Sequence, residues 1–165
     1  NYSDGKVIGG NSTDRALLKM ITPDYNINPE IIKYCPFNSK NKYSYVTLKE
    51  NYKKTSYIKG APELILKKSN KCLDKDGNVT YFKNKDNIER ILNEQTSKGV
   101  RVIALAMSNT FHMTNSLDNL IFIALVFIKD ELRSVSKEGI SFSSLKPSIK
   151  KVSSLLLSST PLVLS

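Results

Sequence analysis

The amino-acid sequence predicts an α+β domain, in which an antiparallel β-sheet is flanked by helices. Residues 30–36 and 43–50 are rich in β-branched and aromatic side chains and are separated by a short polar stretch, which is typical of two antiparallel strands. Residues 100–106 and 120–128 form apolar runs that are continuous enough to be central strands. Between these segments helical and strand patterns alternate irregularly, as expected for this fold class.

The first predicted element is a capped amphipathic helix that begins at Asn11 and stops before Pro23. Asp14 lies in its first turn, where the helix dipole favours a negative charge. The polar stretch 24–29 forms a turn before the first strand.

The third predicted strand, residues 55–59, ends at Gly60, and a helix follows from Pro62 to about Lys68. Proline suits the first turn of a helix because its missing N–H would have no partner there. Residues 73–79 then contain the sequence Asp-Lys-Asp-Gly-Asn. Its glycine comes fourth, whereas a calcium loop needs glycine sixth, so we expect a hairpin turn here.

The second long helix is predicted over residues 84–98. Ile88, Ile91 and Leu92 have helical spacing, and Gly99 is well placed as the C-cap. The two central strands follow this helix.

The chain has 165 residues, which fits one compact domain with a core of its own. After Arg133 the sequence becomes rich in serine and loses its hydrophobic period. We therefore expect a folded domain over residues 1–133, followed by a poorly specified tail over residues 134–165. The longest apolar run is about half the ~20 residues that a membrane-spanning helix needs, so no direct membrane contact is expected.

Cys35 and Cys72 are too few for a disulfide framework or a four-ligand zinc site, and we expect both to be reduced thiols. The single histidine, His112, cannot build a histidine metal cluster and is predicted to lie at the surface in a loop-like stretch. The sequence contains no phosphate loop, dinucleotide fingerprint, zinc-protease motif or nucleophile elbow. Its Asp-x-Asp, residues 74–76, follows no apolar strand, which argues against a phosphatase of the haloacid-dehalogenase kind. An autonomous enzyme is not expected.

Polar and small residues stand among the apolar strands in four short segments: 10–14, 36–42, 59–63 and 99–106. Phe37, at a strand end, can present a ring face on which a base stacks, an interaction worth about 1 to 3 kcal/mol. Gly60 can let a ligand approach the backbone because it has no Cβ. Asp14 can accept a hydrogen bond from an exocyclic amine. These three residues favour a site for a nucleotide base.

Three cations in the same segments, Lys42, Lys59 and Arg101, can supply positive charge for a polyphosphate. Taken singly, each of these residues is better explained by a structural interpretation. Phe37 can be part of the core, the lysines can be solvated, and Asp14 can serve only as a favourable charge at the helix start.

Taken together and in order, the segments resemble the nucleotide-binding (N) domain of P-type cation-transporting ATPases, most closely the calcium-pump-like branch. The family's Gly-Asn-Pro-Thr-Glu-x-Ala-Leu resembles residues 10–17, and its Pro-Phe-x-Ser-x-x-Lys-x-x-Ser resembles residues 36–44 in part. Lys-Gly-Ala-Pro-Glu matches residues 59–63, and Gly-x-Arg-Val-x-Ala-x-Ala matches residues 99–106. Asp-x-x-Arg matches residues 130–133.

The resemblance implies an adenine pocket. Phe37 would stack on the base, and Ile103 would pack against it. Lys59 would line the pocket and Gly60 would border it. Asp14 takes the place of the family's usual glutamate, one methylene shorter, as the acceptor beside adenine.

The resemblance also implies a phosphate side. Lys42 would face the nucleotide, and Arg101 would meet the phosphates. Ser39 stands where some members of the family have an arginine, which removes one possible phosphate contact. Asp130 and Arg133 would lie where the chain returns to the phosphorylation domain.

By the same resemblance the ligand is ATP, with Mg²⁺ in the intact pump, and the partners are the phosphorylation and actuator domains of the same polypeptide. The aspartate that accepts the γ-phosphate, in the family's Asp-Lys-Thr-Gly-Thr motif, is absent from this sequence. We therefore expect a monomeric cytoplasmic domain of an integral membrane pump that is inactive alone and binds no nucleic acid. The alternative, which rests on the formal charge of +10, is a basic nucleic-acid-binding module whose affinity falls steeply with salt.

Overall fold

The computed structural model describes residues 2–3, 6–7, 30–114 and 116–128. The helix predicted to begin at Asn11 and the tail predicted over residues 134–165 lie outside the described residues, as does Asp14.

The described residues form nine strands and three helices. The strands are β1 Tyr2–Ser3, β2 Lys6–Val7, β3 Glu30–Asn38, β4 Tyr43–Glu50, β5 Lys53–Gly60, β6 Ser69–Leu73, β7 Val79–Tyr81, β8 Arg101–Ser108 and β9 Leu120–Ile128. The helices are α1 Pro62–Lys68, α2 Lys85–Ser97 and α3 Phe111–Thr114. None of these helices is long and apolar enough to span a membrane.

Seven of the described strands form one sheet in the order β3-β4-β5-β8-β9-β6-β7, and β1 and β2 form a separate two-stranded sheet. All neighbouring pairs are antiparallel except β6 and β9, which run parallel. The two apolar runs of the sequence are β8 and β9, and they occupy the middle of the sheet as predicted. The α+β prediction is confirmed.

Both faces of the sheet are buried, which explains why β8 and β9 are apolar without strict alternation. One face carries Ile58, Ala104 and Phe122, which pack with Ile65 of α1 and Leu92 of α2 in a single core cluster. The opposite face has a second cluster of buried side chains: Val46, Leu48, Leu105, Ile123, Val126 and Ile128. We call the face that packs against α1 and α2 the helix face, and the opposite face the second face.

The two longer helices begin and end as the sequence predicts. Pro62 occupies the first turn of α1, and Lys67 and Lys68 lie in its last turn, where cations suit the helix dipole. After α2, Gly99 adopts a φ of +76°, the left-handed conformation that commonly ends a helix. The Asp-Lys-Asp-Gly-Asn segment is the turn of the β6–β7 hairpin, also as predicted.

The prediction of a loop-like stretch around His112 is wrong. Met107 lies within β8, and His112 lies within the short helix α3. The hydroxyl of Ser108 accepts a hydrogen bond from the N–H of Phe111 at 3.0 Å, and the Phe111 ring is fully buried. This cap and this burial hold a four-residue helix that local sequence preference alone would not form.

The two cysteines are free thiols, and each is half-buried. Cys35 lies in β3 and Cys72 in β6. Both pack against the core cluster of the helix face.

Candidate functional site

Six of the seven residues singled out in the sequence lie at one end of the sheet. The six are Phe37 near the end of β3, Lys42 just before β4, Lys59 and Gly60 at the end of β5, and Arg101 and Ile103 at the start of β8. Because neighbouring strands here are antiparallel, the ends of β3 and β5 meet the starts of β4 and β8. The register confirms the alignment, since Tyr43 pairs with both Asn38 and Gly60, and Gly60 pairs with Ala104.

The Phe37 side chain is 60% exposed, so the interpretation of this residue as core is wrong. The register between β3 and β4 shifts between Cys35 and Asn38, and this bulge contains Pro36 and Phe37. Proline is tolerated there because β3 is an edge strand of the described sheet. The bulge leaves an aromatic ring available at the surface.

The backbone N–H and carbonyl of Lys42 both form hydrogen bonds with neighbouring segments. Its φ is +62°, in the left-handed region that lysine seldom adopts. Its N–H donates to the carbonyl of Asn38 at 2.7 Å, and its own carbonyl accepts from the N–H of Ala61 at 2.9 Å. The two bonds tie the β3–β4 turn to the junction of β5 and α1.

The side chain of Lys42 extends away from this clamp. Its Nζ lies 4.0 Å from a carboxylate oxygen of Glu63, in the first turn of α1, and the two side chains are 62% and 66% exposed. An ion pair this exposed contributes little to stability. The ammonium group of Lys42 therefore remains available to a ligand.

Gly60 is buried, and the space beside its Cα is filled by the chain itself. A Cβ built on Gly60 would lie 2.7 Å from the carbonyl oxygen of Lys42 and 2.7 Å from Cβ of Tyr43. The close approach that requires glycine at this position is thus the approach of the β3–β4 turn.

Lys59, Arg101 and Ile103 lie on the second face of the sheet. Lys59 of β5 is the strand partner of Leu105 of β8, and Leu105 belongs to the core cluster of that face. Ile103 packs against the same cluster. Arg101 lies two residues before Ile103, so strand alternation puts it on the same face. Lys59 is half-buried and Arg101 is exposed.

An aromatic group supports the turn from the helix face. The rings of Tyr45 and Phe111 meet edge to face with centroids 4.7 Å apart. The rings of Tyr43 and Phe111 are also arranged edge to face, with centroids 6.4 Å apart. Burial raises the pKa of the Tyr43 hydroxyl, with smaller contributions from Cys35 and Tyr45. These rings place Tyr43, and hence Lys42, on a rigid base.

The sequence alone assigns no role to Ser44 of β4. In the structure it is the strand partner of Lys59 in β5 and is only 4% exposed. The available signal was a serine between two tyrosines in a strand that is otherwise apolar to Val46. Alternation places Ser44 on the second face, with Lys59 and not with the tyrosines.

Among the described residues the candidate site carries the positive side chains of Lys42, Lys59 and Arg101, and the carboxylate of Glu63 lies 4.0 Å from Nζ of Lys42. Such a field attracts a polyphosphate. Across the part of the chain that the structure describes, no group of three or more His, Cys, Asp or Glu side chains is placed to hold a metal ion.

Two surface cavities are lined by other residues, and the first reaches this end of the sheet at Phe127, which pairs with Val102. One, of about 610 Å³, lies beside β6, β7 and α2, and the other, of about 680 Å³, lies at the β4–β5 turn. Neither contains any of the six residues.

Comparison with known proteins gives a family match and several relatives. A family model described as "P-type ATPase, cytoplasmic domain N" matches residues 1–135. The chain is 34% identical over 152 residues to plasma membrane calcium-transporting ATPase 4 of Homo sapiens, covering 80% of this chain and 12% of the relative. It is 32% identical over 143 residues to calcium-transporting ATPase PAT1 of Dictyostelium discoideum, covering 79% of this chain and 13% of that relative.

A plant relative matches to a similar extent. The chain is 33% identical over 145 residues to probable calcium-transporting ATPase 6, plasma membrane-type, of Oryza sativa subsp. japonica, covering 79% of this chain. The chain thus spans only 12% to 14% of the length of these relatives.

Proposed function

The chain belongs to the family of P-type ATPase cytoplasmic N domains, and from this membership we propose that it binds ATP and positions it for phosphoryl transfer to an aspartate outside these residues. The relatives reported above are calcium-transporting ATPases by name, so we extend the proposal to a calcium-pump-like parent protein. In such a protein this domain would lie on the cytoplasmic side of the membrane, and its partners would be the phosphorylation and actuator domains of the same polypeptide.

One observation carries the proposal: an exposed aromatic side chain and three cationic residues lie at the same end of the sheet. Phe37 would stack on adenine, which contributes about 1 to 3 kcal/mol. Lys59 would line the adenine pocket, and Ile103 would pack against the base. Lys42 and Arg101 would form charge-assisted hydrogen bonds with the phosphates.

The described residues suit the nucleotide better than the metal ion. ATP needs a ring to stack on and cations for its phosphates, and the site has both. Mg²⁺ is usually bound through one or two carboxylates and the substrate's phosphates. The described residues of the site offer no carboxylate cluster, so we assign them no part in holding Mg²⁺.

Rigidity is the second contribution of this chain. The backbone bonds of Lys42 to Asn38 and Ala61 fix the turn that carries the ammonium group, and Gly60 lets that turn approach. Holding the backbone that carries the cation in place before ATP arrives lowers the entropy that binding must offset. Asp14, outside the described residues, is proposed as the acceptor of the adenine amine because it lies in the matching sequence block.

The proposed unit is a monomeric nucleotide-binding domain over residues 1–133 with a tail over residues 134–165, and the family match over residues 1–135 supports this boundary. We propose no nucleic-acid partner and no direct membrane contact for this domain.

The test is a titration of the whole 165-residue chain, labelled with nitrogen-15, with ATP. The amides of Phe37, Lys59 and Gly60 should shift progressively, and Lys59→Ala should weaken binding. Lys75→Ala, in the β6–β7 turn, is the control and should bind as the unmodified chain does. Absence of any shift at millimolar ATP contradicts the proposal.

A further inference from the structure

The candidate site contains a buried hydroxyl that has no hydrogen-bond partner among the described residues. Ser44 is only 4% exposed, and within the described part of the chain its Oγ makes no hydrogen bond. A buried polar group left unpaired costs free energy, and nearly all such groups in folded proteins are paired.

Other buried hydroxyl groups of the described sheet show the contrast. Thr47 and Ser56 pair with each other at 2.8 Å, and the hydroxyl of Ser69 donates to the carbonyl of Ile65 at 2.7 Å. Ser44 therefore stands apart from serines of similar burial in the same sheet.

Ser44 lies between two residues of the proposed adenine pocket. On one side it pairs with Lys59 of β5. On the other side, the register of β3 passes from Cys35 opposite Tyr45 to Asn38 opposite Tyr43, so the bulge that contains Phe37 lies opposite Ser44. The unpaired hydroxyl thus occupies the strand position between the aromatic ring and the lysine.

We propose that the Ser44 hydroxyl hydrogen-bonds a heteroatom of the nucleotide base and so contributes to selection of that base; this inference rests on the proposed function. A hydroxyl both donates and accepts, so it can pair with a ring nitrogen or with an exocyclic amine. The bulge opposite Ser44 can admit a base, because the Phe37 side chain in that bulge is 60% exposed. The ligand then supplies the partner that the described residues do not.

The experiment compares Ser44→Ala with the unmodified full chain by calorimetric titration with adenosine, ATP and inorganic tripolyphosphate. We expect Ser44→Ala to weaken adenosine and ATP binding by about fivefold to tenfold, as for one lost hydrogen bond. Tripolyphosphate has no base, so its affinity should stay the same. The melting temperature should be unchanged or higher, because no hydrogen bond among the described residues is lost.

Ser56→Ala is the matched control, because it removes a similarly buried hydroxyl that is already paired with Thr47. It should lower the melting temperature and leave adenosine affinity unchanged. Equal adenosine affinity for Ser44→Ala and the unmodified chain overturns the inference, and so does an equal loss for adenosine and tripolyphosphate. If the unmodified chain binds neither ATP nor adenosine, the proposed function itself fails.

Discussion

The position that a β-carbon would occupy at Gly60 lies 2.7 Å from the carbonyl oxygen of Lys42. That oxygen also accepts the hydrogen bond from Ala61, so it cannot move away without breaking the tie between the turn and α1. The sequence suggests that Gly60 lets a ligand approach the backbone. In the structure the missing Cβ instead lets the β3–β4 turn pack against β5, and this packing supports the site.

Gly60→Ala should lower the free energy of unfolding by about 1 to 3 kcal/mol, because the added methyl group overpacks a backbone contact. It should also weaken ATP binding, because Lys42 must move with its turn. Urea denaturation and calorimetry measure the two effects.

Gly99→Ala is the control for that substitution. Its φ is +76° and no atom lies within 4 Å of an added Cβ, so only backbone strain is introduced. It should cost about 1 to 2 kcal/mol of stability and leave ATP affinity unchanged. Unaltered ATP affinity in Gly60→Ala would show that the turn does not position Lys42.

Phe37→Ala should weaken ATP binding by about 1 to 3 kcal/mol, the contribution of one stacked base. Its effect on stability should be small, because the ring is 60% exposed in the free protein. Tyr81→Ala is the matched control, since it removes a 76% exposed aromatic ring from β7 at the other edge of the sheet. Calorimetric titration with ATP should separate the two variants, and equal affinities would argue against stacking on Phe37.

Asp118→Asn should reveal a pH-dependent contribution to stability. A hydrogen bond from Lys68, another from Ser116 and the Lys68 charge lower the pKa of Asp118 below its ordinary 3.8. When the pKa of a carboxyl group is lower in the folded state, its charged form stabilises the fold. This contribution is complete at pH values above the unfolded-state pKa and disappears as the pH falls through the folded-state pKa. The unmodified chain should therefore melt higher than Asp118→Asn at neutral pH, and the difference should vanish once the pH falls below the folded-state pKa, which lies under 3.8. A difference that persists there would assign the effect to packing.

Much of the fold follows from local pattern, because strand alternation and continuous apolar runs depend only on neighbouring residues. This is why β4, β8 and β9 are predictable within a residue or two. The helix α3 is not, because it depends on the Ser108 cap and on the burial of Phe111 among rings from β4.

The candidate site is less predictable than the fold, because its geometry depends on register. The sequence indicates which residue types to examine, such as Phe37 and Lys59, but the exposure of Phe37 results from a bulge against β4. The hydrogen bond from the N–H of Ala61 to the carbonyl of Lys42 joins two different strand connections, which local sequence pattern does not predict. Ser44 becomes notable only when its strand partners and its unpaired hydroxyl are known.

Glu63→Gln should raise ATP affinity about twofold to threefold. The carboxylate of Glu63 lies 4.0 Å from Nζ of Lys42, where it offsets part of the positive charge offered to the phosphates, and a nearby surface charge changes a binding free energy by a fraction of 1 kcal/mol. Stability should hardly change, because both side chains are exposed. Glu94→Gln breaks a 2.7 Å ion pair with Lys98 on α2 and serves as the control, with ATP affinity unchanged. Because the effect is electrostatic, the gain in Glu63→Gln should shrink as salt is added. A loss of ATP affinity in Glu63→Gln would instead mean that Glu63 orients the Lys42 ammonium group toward the nucleotide.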